Sequence, residues 1–110
     1  MGTLATLLLL GWSLLGDTYL EVPLPPGAQP LAEQGRYASS RNFDETLDFY
    51  KYHFKYHGGG VRWRNVVNLP HIRAKHVQSL KPTPWQGINI YEYNGRVRIF
   101  VVPRSPEPGS

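Results

Sequence analysis

Asn94-Gly95 stands between two alternating segments, 88–93 and 96–102. Both positions of an Asn-Gly pair accept the positive φ that a two-residue type I′ turn demands, so the dipeptide predicts a tight hairpin. The turn also fixes a register. Tyr93 falls opposite Arg96, Glu92 opposite Val97, Tyr91 opposite Arg98, Ile90 opposite Ile99, and Ile88 opposite Val101. Side chains alternate along a strand with a period of two, so this register sorts the hairpin into two unlike faces. Ile88, Ile90, Val97, Ile99 and Val101 share one face, which needs a cover. Asn89, Tyr91, Tyr93, Arg96, Arg98 and Phe100 share the other. Glu92 falls on the apolar side, beside the turn, where it can reach water.

The cover is predicted upstream. Asn42 is suited to an N-cap, and Glu45 three residues later completes a capping box. Helical spacing then places Phe43, Leu47, Tyr50 and Phe54 on one face, with Asp44, Asp48, Lys51 and Lys55 on the other. Acids lead and lysines trail, as the helix dipole favours. Gly58-Gly59-Gly60 stops the helix near His57. Beyond the glycines, 61–68 alternates until Val66-Val67, a pair that marks a bulge. A weaker strand follows over 72–80, then a proline loop, with Trp85 read as a cover for the core. A short strand near 36–39 would complete a β-α-β-β-β-β order. The expected fold is α+β: one amphipathic helix packed on an antiparallel sheet of about three to five strands, behind an apolar N-terminal leader.

Residues 3–16 carry no charged side chain. The run falls short of the roughly 18–20 apolar residues of a membrane-spanning helix and matches the apolar heart of a secretory signal, about 7–15 residues. Residues 1–16 are therefore read as a signal peptide or membrane-anchor-like segment. Four prolines between 22 and 35 favour extended backbone without hydrogen-bond donors, so 17–35 is read as a proline-rich linker. Residues 36–102 form the domain, and 103–110 a flexible tail. The expected location is outside the cytoplasm, periplasmic or extracellular. The alternative is a membrane-tethered module whose only membrane contact is through 3–16.

The chain has no cysteine, which excludes disulfides, thiol catalysis and thiolate metal sites. No nucleophile elbow or paired-acid pattern occurs. The triple glycine follows a helix, whereas phosphate-cradling glycines precede one. The expected role is a non-catalytic binding module without a cofactor. Charge suggests the surface. The net charge is +4, yet between Arg36 and Lys81 nine Lys or Arg face three acids. Arg62 and Arg64 flank Trp63, so an inward Trp63 turns both arginines outward. They then join Tyr91, Tyr93, Arg96 and Arg98 as the candidate binding residues. A basic face interleaved with aromatic rings suits an anionic polymer or an acidic protein of the cell envelope. A different reading uses His53 and His57, four apart on the helix, as metal ligands, with Glu92 as a functional carboxylate.

Overall fold

A computed structural model describes residues 17–105. Two short strands come first, β1 (Thr18–Tyr19) and β2 (Val22–Pro23), then β3 (Gln29–Pro30) and β4 (Arg36–Ala38). Helix α1 (Phe43–His53) continues into a π-helical turn (Phe54–Gly58). Four long strands follow: β5 (Val61–Leu69), β6 (Ile72–Ser79), β7 (Trp85–Tyr93) and β8 (Arg96–Pro103). β1 and β2 pair with each other, and the rest form a six-stranded sheet in the order β3-β4-β8-β7-β6-β5. Every pairing is antiparallel. The α+β class is as expected, but six strands exceed the three to five anticipated. The additional strand is β3, only two residues long.

The β7–β8 hairpin carries the register that Asn94-Gly95 implies, pair for pair from Tyr93↔Arg96 to Ile88↔Val101. Asn94 and Gly95 both have positive φ, 50° and 80°. Ile88, Ile90, Ile99 and Val101 are fully buried beneath α1. The helix starts with the expected box. The Asn42 side-chain oxygen accepts from the Glu45 amide at 2.8 Å, and the Glu45 carboxylate accepts from the Asn42 amide at 3.2 Å. Phe43, Leu47, Tyr50 and Phe54 form its buried stripe. Phe54 lies against Trp85 with ring centroids 5.6 Å apart, so Trp85 does cover the core. The helix widens in its last turn and then stops at Gly58, where the glycines place its end: the Gly59 amide donates to the Phe54 carbonyl at 2.7 Å. In β5 the register skips Val66, between Asn65 and Val67.

Residues 17–35, expected as a linker, are packed instead. Val22 is fully buried and belongs to the main core, Leu24 is buried, and Tyr19 and Leu20 pack against that core. The extended backbone that prolines favour also suits a short edge strand. Burial of an apolar side chain, about 1.5–3 kcal/mol each for Val or Leu, decides between the two. The expected tail also begins later than 103. Pro103 closes β8 opposite Trp85, and the Arg104 guanidinium donates to the carbonyls of Thr83 and Lys81 at 2.8 and 2.9 Å. The leader at 1–16 and residues 106–110 lie outside the described residues. Among the described residues no helix is long and apolar enough to cross a membrane.

Candidate binding face

Alternation from the hairpin carries across the sheet. Trp63 pairs with Val77 and packs against the core. Arg62 and Arg64 on either side of it therefore point away from α1. The pairings Arg64↔His76, His76↔Asn89, Asn89↔Phe100 and Phe100↔Arg36 define one outward row across five strands. A second runs from Ala74 through Tyr91 and Arg98 to Ala38, and a third joins Ile72, Tyr93 and Arg96. The six candidate residues thus share a single face. Arg62, Arg64, Tyr93 and Arg96 are exposed, while Tyr91 and Arg98 are half-buried.

Two further residues belong to this face. Arg36 lies with its guanidinium carbon 4.0 Å from the centre of the Phe100 ring, donates to the Tyr91 hydroxyl at 3.2 Å, and pairs with Glu33 at 3.1 Å. Its strand is too short to show a period of its own, so only the pairing with β8 reveals its side. His76 donates from Nδ1 to the Asn89 amide oxygen at 2.6 Å in the tautomer that leaves Nε2 free. Its ring lies on Gly87, where a Cβ would come within 2.5 Å of Cε1. A glycine inside a strand signals such a close approach.

Electrostatically the face is one-sided. Glu92 is the only carboxylate in the strands of this sheet, and it faces the helix side. Glu33, at the rim, is occupied by Arg36. Five arginines therefore share one face, with Glu33 the one acid paired at its border among the described residues. The aromatic part is less available than the sequence implies. Arg36 covers Phe100 and holds the Tyr91 hydroxyl, which leaves Tyr93, 56% exposed, as the open ring.

The histidine pair and Glu92 do not come together. His53 and His57 approach with ring centroids 5.9 Å apart near the helix end. Burial, and then the neighbouring His57, hold His53 below the usual imidazole range. Glu92 instead accepts from Arg73 at 3.1 Å, and Arg73 also reaches Asp44 in the first turn of α1. Asp44 and His53 are separated by about 14 Å along the helix axis at 1.5 Å per residue. Among the described residues no group of three His, Cys, Asp or Glu side chains could hold a metal ion.

Comparison with protein-family models, curated proteins and solved structures returns no match. The functional reading therefore rests on the chain's own chemistry.

Proposed function

We propose that the protein is a non-catalytic binding module whose outer sheet face takes an anionic polymer outside the cytoplasm. The observation that carries this reading is the set of arginines: Arg36, Arg62, Arg64, Arg96 and Arg98 on one face, with Glu33 at its rim the only acid paired there among the described residues. Polyanions are drawn to such a surface by its summed field and by release of their counterions. Stacking is secondary, because Tyr93 is the one ring left open. The location outside the cytoplasm is supported by the apolar run at 3–16.

Charge-driven binding weakens steeply with salt. The full chain should be retained on immobilised heparin and released by a salt gradient. Arg96→Ala with Arg98→Ala should elute at clearly lower salt with an unchanged melting temperature. A folded double variant that elutes where the parent does would overturn the reading.

A further inference from the structure

Strand β6 sends two cations to the helix-facing side of the sheet. Lys75 shares its row with Ile90 and Ile99, both fully buried. Arg73 occupies the next row, beside Glu92. Arg73 is compensated: it pairs with Glu92 at 3.1 Å, contacts Asp44 at 3.5 Å, and lies 4.5 Å above the Phe43 ring. Lys75 is half-buried and pairs with no carboxylate among the described residues.

Lys75 and Arg73 line a cleft of about 260 Å³ between the first half of α1 and strands β5–β6. Phe43 and Leu47 lie beneath it, almost wholly buried, with Arg73 over the Phe43 ring, so the accessible lining is mainly polar. Lys51 reaches the cleft from the helix, and it too has no carboxylate partner among the described residues. Asn65 and Asn68 line it from β5. The rim acid, Asp44, is engaged by Arg73. Two ammonium groups without a carboxylate partner among the described residues, and two amides, therefore converge on one concavity. It lies on the opposite side of the sheet from the arginine face.

We propose that this cleft is a second binding site, for a small phosphate monoester. Two unpaired lysines match a dianionic headgroup better than a single carboxylate does. The Asn65 and Asn68 amides donate to its remaining oxygens. The volume is below the ~300–1,000 Å³ usual for drug-sized ligands, so the ligand is small and not a polymer.

The test is a titration of the full chain with phenyl phosphate, followed by the backbone amide resonances. Saturable shifts are expected at Asn65, Asn68 and Lys75, with weaker binding of benzoate and none of phenol. Lys51→Met and Lys75→Met should each weaken phenyl phosphate about tenfold, equivalent to about 1.4 kcal/mol. Thermal melts of both variants without ligand report that they fold. Absence of saturable shifts at the cleft would overturn the proposal, as would unaltered affinity in both Met variants. Shifts that map to the arginine face and vanish in Arg96→Ala/Arg98→Ala would overturn it as well.

Discussion

Tyr50 offers a sharp test of how this core is balanced. It is fully buried, and its hydroxyl finds no hydrogen-bond partner among the described residues. Burial, and then neighbouring Tyr37, push the phenol far above its ordinary range. An unpaired buried hydroxyl carries a desolvation penalty of about 1–3 kcal/mol. Tyr50→Phe removes that oxygen and leaves a void of about one atom, which costs about 0.3 kcal/mol at ~24 cal/mol per Å³. The variant should therefore be more stable by about 1–2 kcal/mol. At roughly 4–8 °C per kcal/mol for a domain of this size, the melting temperature should rise clearly. The pH dependence gives a second arm. A phenol whose folded pKa is raised contributes stability that is complete below the unfolded value, about 10. That stability is lost as pH climbs, because the unfolded chain releases a proton that the folded chain retains, at about 1.4 kcal/mol per pH unit. Phenylalanine has no proton to release, so the variant's advantage should widen between about pH 9 and 11. Thermal melts followed by circular dichroism at matched ionic strength measure both arms. A variant less stable at neutral pH, or an advantage that stays flat above pH 10, would refute the reasoning.

Gly87→Ala should destabilise by about 1–3 kcal/mol in urea unfolding, because the new methyl collides with the His76 ring and strains a tight seat. Adding His76→Ala should recover part of the loss, and a lone Gly87→Ala of parental stability would exclude the close packing described. His53 is held below its usual pKa, so it contributes stability above about pH 6.5 that is lost as pH falls through its folded value. His53→Gln should accordingly flatten the decline in melting temperature between about pH 7 and 5, and an unaltered profile would refute that assignment.

The legible parts of this fold are those governed by local rules. Asn94-Gly95 dictates backbone dihedrals, and with them the register and both faces of β7–β8. The Asn42–Glu45 box and the Phe43, Leu47, Tyr50, Phe54 spacing define α1 in the same way, and Val66-Val67 marks the bulge in β5. The candidate face was legible because alternation carries Arg62 and Arg64 onto it once Trp63 points inward. What stayed hidden depended on distant partners. Val22 and Leu24 sit among prolines, and only the core they meet reveals that the segment packs. Arg36 gains its role from Phe100 and Tyr91, more than fifty residues away. Arg73 and Lys75 lie on the core side of a strand whose pattern is weak, so the cleft they line emerges only from the pairing with β7.

The two margins of the main sheet are unequal. On one side, β3 offers two residues and ends on Pro30, which has no amide to give. On the other, β5 presents nine residues with a free backbone rim. Free rims recruit foreign strands unless something repels them, and charge and irregularity are the usual deterrents. Here Arg62, Arg64 and the Val66 kink serve as those deterrents. A second molecule aligning along β5 would set arginine against arginine and meet a break in its ladder. The same two side chains belong to the face proposed to take polyanions. Whatever neutralises them also lowers the barrier to strand-by-strand assembly, so the molecule is best guarded against its own copies when its arginines are bare.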